Sequence, residues 1–262
     1  MIRSGFILIA LAGAYGAPVP GLMPAPAKLA AAGGRLTLDS SFRIAATGYS
    51  DARLEAAIER LASRVARQTG ITMIAARAAR PALTVECAGG GAESPLLGED
   101  ESYQLDVTPD GALLKATTVT GALRGLETFA QLIGPGAEGF QAPAVHIEDA
   151  PRFPWRGLML DVSRHWMPVE VVERNLDAMA AVKLNVFHWH LSDDQGFRVE
   201  SQRYSRLQQF GSDGHFYTQA EIRRVVAYAR GRGIRVVPEF DIPGHTTSWF
   251  AGYPELASAP LR

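Results

Sequence analysis

The chain has 262 residues, one large or two ordinary domains at roughly 150 residues each. With 47% hydrophobic residues it can build packed cores, which excludes a small scaffold that needs staples. Lysine and arginine number 26 against 27 acidic residues, for a net charge of -1, and no long basic run is present to track a phosphate backbone, so nucleic acid is not an expected partner.

Residues 1–16 read as a cleaved export signal, with Arg3 ahead of an apolar run from Phe6 to Ala12 and small Ala14 and Gly16 at peptidase spacing. The expected location is therefore periplasmic or secreted. The run is well short of the roughly 20 residues that span a bilayer, so no stable membrane anchor is expected. A proline-rich linker follows over 17–29, with Pro18, Pro20, Pro24 and Pro26. Cys87 is the only cysteine, so neither an intrachain disulfide nor a cysteine metal cluster can form.

Residues 30–150 read as an α/β accessory domain. A short strand is expected over 35–38, then a helix over 51–69 whose Leu54, Ala57, Ile58, Leu61 and Val65 recur at helical spacing. Strands are expected at 82–87, 103–107 and 112–116. The last two are joined by Thr108, Pro109, Asp110 and Gly111, which is hairpin-turn chemistry. A helix over 119–132 closes the module. Nothing in it gathers a nucleophile, a base and oxyanion donors, so its expected role is structural.

Pro151 and Pro154 punctuate a second boundary, and the segment 151–262 alternates strand and helix: strand 157–162, helix 168–182, strand 184–190, helix 218–230, strand 234–240. That alternation predicts a parallel sheet. The segment is less than half of the roughly 250 residues in a closed eight-stranded barrel. The expected fold is thus α/β, an accessory domain followed by the first three strand-helix units of an incomplete (β/α)8 TIM-type barrel.

Active residues of such barrels sit at the carboxyl ends of strands. The three expected strands run into Asp161 to Trp166, His188 to Gly196 and Glu239 to His245, so acids and histidines recur at every end. His188 and His190 are two apart in a strand and share a face. With Asp193 and Asp241 they offer nitrogen and oxygen ligands, which leaves a metal-dependent barrel hydrolase as one alternative. A non-catalytic, truncated sugar-binding remnant is another.

The runs PRFPWRGLMLDVSRHWMP, KLNVFHWHLSDDQGFRVES and GIRVVPEFDIPGHTTSW, in this order, resemble the first three catalytic-barrel strands of glycoside hydrolase family 20, the β-N-acetylhexosaminidases. The run ESYQLDVTPDGALLKATTVTGALRGLETFAQLI is similar to that family's preceding α/β domain. The resemblance implies removal of terminal β-linked N-acetylglucosamine or N-acetylgalactosamine from an oligosaccharide or glycoconjugate, with retention. The substrate's own 2-acetamido oxygen is then the nucleophile, an exception to the two-carboxylate scheme. It implies no cofactor and no metal. By the same resemblance Arg156 binds ring hydroxyls, Asp241 holds that arginine, and His190 and Trp189 support the pocket floor from behind. Asp193 and His245 relay toward a glutamate acid/base, one of an Asp-Glu pair expected after a fourth strand and beyond residue 262. The chain is therefore expected to be an incomplete form, inactive alone.

Overall fold

A computed structural model describes residues 21–71, 81–137 and 139–258. The expected export signal lies outside the described residues. Seventeen named elements follow in chain order. The first sheet uses β1 (Lys28–Leu38), β2 (Ile44–Gly48), β3 (Leu83–Gly89), β4 (Tyr103–Thr108), β5 (Gly111–Thr118), β6 (Gly134–Gly136) and β7 (Gly139–Asp149), with helices α1 (Ala52–Thr69) and α2 (Val119–Leu132). The second uses β8 (Gly157–Asp161), β9 (Val186–Asp193), β10 (Gly196–Phe197) and β11 (Arg235–Phe240), with α3 (Val169–Ala181), α4 (Arg206–Gly211), α5 (Gln219–Arg230) and α6 (Thr247–Gly252).

The first sheet runs β1-β7-β4-β5-β3-β2, with β6 on β7. Strands β2, β3 and β5 are parallel, whereas β1, β4 and β7 pair antiparallel. Helix α1 starts where the Asp51 carboxylate accepts from the amides of Arg53 and Leu54, and it stops at Gly70 with φ 70°, an αL position that glycine adopts without strain. Its buried face, Leu54, Ala57, Leu61 and Val65, is the one the periodicity predicts. Phe42 stacks on Phe129 of α2 with centroids 6.0 Å apart. The expected hairpin is present, with Thr108 opposite Gly111.

One expectation needs correction here. The linker does not run to residue 29, because β1 already begins at Lys28. Its first seven residues are exposed and lack the alternation that marks a half-buried strand, and pairing with β7 rather than local pattern makes them extended. Strand β7 has no counterpart among the expected elements because Pro143 lies inside it, a residue read in isolation as a strand breaker.

In the second sheet β8 and β11 flank β9 in parallel, and β10 folds back antiparallel on the end of β9. Helix α5 opens with a reciprocal capping box between Thr218 and Glu221. The apolar faces of α3 and α5 join the outward side chains of the strands in one core, with Val172, Leu176, Phe187, Trp189, Tyr217 and Val225 all buried. Strand β9 reaches Asp193, three residues past its expected end. That extension carries Asp193 into the sheet, where it is 1% exposed.

The domains are joined by buried charge. Arg124 of α2 donates from Nε to Glu101 (2.7 Å) and from its two terminal nitrogens to the carbonyls of Arg232 and Gly233 (3.1 and 2.7 Å), in the turn that feeds β11. Lys183, also buried, donates to the Tyr103 hydroxyl and the Asp149 carboxylate, both at 2.8 Å. Burial pushes the Lys183 ammonium below its ordinary value, and Asp149 offsets part of that.

Candidate active site

Register fixes which residues can meet. Gly157, Val186 and Arg235 lie side by side at one end of the parallel strands, and Asp161, His190 and Glu239 at the other. The second end is the carboxyl end, where chemistry is expected.

Arg156 precedes β8 and so lies at the wrong end. Its guanidinium donates to Glu101 Oε2 (2.5 Å), the Lys183 carbonyl (2.9 Å) and the Phe153 carbonyl (2.8 Å). Asp241 follows the opposite ends of the strands, roughly a five-residue strand away, or about 16 Å at 3.3 Å per residue. The expected pairing of Arg156 with Asp241 is therefore not made, and Arg156 is an interdomain residue rather than a sugar contact. Trp189 is also reassigned. It faces the helices, 1% exposed, with ring centroids 5.6 Å from Phe187 and 4.7 Å from Tyr217. Successive strand side chains alternate faces, so the face that carries His188 and His190 cannot carry Trp189.

The arginine at the productive end is Arg164, three residues past β8. It contacts Asp161 Oδ2 at 2.6 Å and Asp193 Oδ2 at 2.5 Å, and its NH2 lies 3.5 Å from His245 Nδ1. The sequence signal for it was available: it lies in the run that follows the strand, where function concentrates, whereas Arg156 lies before it. Asp161 accepts from the amides of Ser163 and Arg164 (3.1 and 2.9 Å), which folds the loop so that the guanidinium turns back over the strand ends.

Asp193 and His245 are brought together as expected from sequence: His245 Nδ1 lies 3.2 Å from Asp193 Oδ1. His245 occupies the left-handed region with φ 58°, and half of its side chain is exposed. Asp193 Oδ1 also accepts from the Asp194 amide (2.7 Å), and Ser248 donates to the Asp193 carbonyl (2.6 Å). Asp194 holds the start of α6 through the Thr247 amide and hydroxyl (3.0 and 2.7 Å). Burial pushes the Asp193 carboxyl up, but the Asp194 amide, His190, Arg164 and His245 outweigh it and hold it below the ordinary carboxylate range. Asp161 is likewise held low, against burial, by the backbone and guanidinium of Arg164.

His190 is 4% exposed and lies beneath this layer, between Glu239 and Asp193, rather than open to a ligand. His188 Nε2 is 2.6 Å from Glu239 Oε2. Asp241 is half-buried. One ligand atom each from His190, Asp193 and Asp241 lies within 4.8 Å of the others, a grouping able to hold a cation. Both ring nitrogens of His190 already face carboxylates, however, so a cation would have to displace one of those contacts. Nothing in the donor set favours the metal-dependent alternative over a hydrogen-bonded acid-base network.

A buried carboxylate fixed from several sides, an imidazole resting on it, and a half-exposed guanidinium beside both form an apparatus for moving a proton and gripping neighbouring oxygens. It lies at the carboxyl ends of parallel strands after a mixed-sheet domain, where α/β barrels carry their active residues. Residues 153–261 match the family model "Glycosyl hydrolase family 20, catalytic domain", and residues 19–150 match "Glycosyl hydrolase family 20, domain 2". The chain belongs to glycoside hydrolase family 20. It is similar to the beta-hexosaminidase subunit alpha of Rattus norvegicus, 49% identical over 178 residues that make up 66% of this chain and 33% of the relative. Its fold is similar to that of the chitobiase of Flavobacterium johnsoniae, with TM-score 0.84 and 44% identity over 90% of this chain and 37% of that one. It is also similar to the exo-beta-N-acetylglucosaminidase of Vibrio harveyi in complex with N-acetylglucosamine, with TM-score 0.75 and 29% identity over 92% and 40%. The chain thus spans about a third of the curated relative's length.

Proposed function

We propose that these residues belong to a β-N-acetylhexosaminidase that removes terminal β-linked N-acetylglucosamine or N-acetylgalactosamine from oligosaccharides or glycoconjugates, with retention. The observation that carries the reading is the meeting of Arg164, Asp193 and His245 at the carboxyl ends of three strands, in a chain of family 20. Arg164 takes the role first expected of Arg156, as the planar donor that grips neighbouring sugar hydroxyls. Asp193 orients His245, which passes a proton toward the acid/base carboxylate that the resemblance places after a fourth strand. The nucleophile is the substrate's acetamido oxygen, and no cofactor takes part. Export to the periplasm or beyond is part of the same proposal. It is supported by the composition of residues 1–16, and N-terminal sequencing of exported protein tests it.

The activity test is hydrolysis of an aryl N-acetyl-β-glucosaminide beside the matching aryl β-glucoside, for the 262-residue chain and any longer product of its gene. Turnover that requires the acetamido group supports the reading. Equal turnover of both substrates overturns it, because a nucleophile within the substrate cannot act where it is missing.

A further inference from the structure

One arrangement at the strand ends has no part in the proton path just described. Glu239 Oε2 lies 2.6 Å from His188 Nε2 and 2.8 Å from His190 Nδ1, while the other His190 nitrogen, Nε2, lies 2.8 Å from Asp193 Oδ2. A neutral imidazole has one donor and one acceptor nitrogen, and an ionised carboxylate only accepts. With a carboxylate on each side, both His190 nitrogens must carry protons. We propose that Glu239 is a positioning residue that keeps His190 a doubly protonated imidazolium, and that this cation in turn fixes the Asp193 carboxylate on which His245 rests.

The charges around His190 agree. Strand β8 presents Asp161, the loop after it Arg164, β9 His188 and Asp193, β11 Glu239, and the segment beyond it Asp241 and His245. Acids outnumber fixed cations in this set. Burial lowers the His190 value, but the Glu239 and Asp193 contacts outweigh it and raise it above that of a free histidine. The Glu239 carboxyl is held low, against burial, chiefly by His190. If Glu239 loses its charge, His190 sheds a proton. A ring lone pair then faces a carboxylate, and Asp193 is either repelled from the ring or left with one fewer donor. The Asp193 to His245 contact, at 3.2 Å, is the longest of the line, and Asp193 is shared between His190 and Arg164 at its other oxygen. Glu239 thus reaches His245 through two side chains without touching a ligand.

That the network serves catalysis rests on the proposed hydrolase activity, but the protonation state does not, and the test reads the protonation state alone. In the 262-residue chain labelled with 15N-histidine, both ring nitrogens of His190 should resonate in the imidazolium range at pH 7.5. In Glu239→Gln, the His190 midpoint should fall by about 1 pH unit or more, the size of an opposite-charge effect at this range. A neutral His190 tautomer in the unmutated protein at pH 7.5 overturns the proposal whether or not the variant folds. So does a folded Glu239→Gln whose His190 midpoint is unchanged. If a longer product of the gene shows no acetamido-dependent turnover while the imidazolium signature is intact, that counts against the hydrolase reading and leaves this one standing.

Discussion

Arg164 and Asp193 leave two different strands and meet at 2.5 Å, one side chain 45% exposed and the other 1%. The exposed partner keeps donors for a ligand while the buried one supplies its anchor. Arg164→Ala should lower the thermal midpoint only modestly, because its own side is open to water and the buried Asp193 carboxylate keeps the Asp194 amide and His190 as partners. In a turnover-competent protein it should lower kcat/KM at least about a hundredfold, the usual effect of removing a charged donor from a reacting site. Arg156→Ala should show the reverse pattern, a lower thermal midpoint with any activity loss tracking the unfolded fraction. Steady-state kinetics beside thermal unfolding checks both, and a larger specific-activity loss in the Arg156 variant would return the sugar-binding role to Arg156.

Glu101 is the hub of the domain junction. It is 4% exposed and accepts from Arg124, Arg156 and Asn185 at 2.7, 2.5 and 3.2 Å. Glu101→Ala strands two guanidinium groups without their anion, and breaking a buried pair from one side costs about 3–5 kcal/mol. Urea unfolding should show that loss, and a change under 1 kcal/mol would mean that water replaces the carboxylate.

Stability should peak over a defined pH window. His190 is raised in the folded state, so its contribution is complete below the free-histidine value of about 6.5 and fades as pH rises through the folded value. Asp161, Asp193 and Glu239 are lowered. Their contribution is complete above the free-carboxylate values of about 3.9 to 4.3 and is lost as pH falls through the folded ones. Both sets act in full between about pH 4.3 and 6.5. The urea midpoint should plateau there and fall on either side, and Asp193→Asn should flatten both limbs.

Helices α4 and α6 approach at backbone distance. A Cβ added at Gly252 would lie 2.4 Å from the Arg206 carbonyl oxygen, and one at Gly211 2.4 Å from that of Ser248. Neither obstacle is a side chain that can swing away. Gly252→Ala should cost about 1–3 kcal/mol through forced backbone movement. Gly70→Ala meets nothing within 4 Å and should cost about 1 kcal/mol, through its positive φ alone. Chemical denaturation of the two variants separates clash from conformational strain.

Much of this molecule is legible along the chain. The caps and stripe of α1, the turn at Thr108 to Gly111 and the strand-helix alternation after Pro151 each depend on residues within a few positions of one another. The cluster of acids and histidines at three strand ends is legible for the same reason, since strand direction alone assigns it to the carboxyl end. Tertiary structure decided the rest. That β1 reaches back to Lys28 depends on a partner more than a hundred positions away. Trp189 became core because alternation along β9 turned it toward Tyr217. Arg156 and Arg164 are eight positions apart with the same chemistry; their order about β8 is legible in the sequence, but only the packed fold shows that one finds Glu101 and the other Asp193. The sequence by itself settles which residues are able to pair. The fold selects which pairs form, because an ion pair needs two side chains within about 4 Å and long-range packing alone sets that distance.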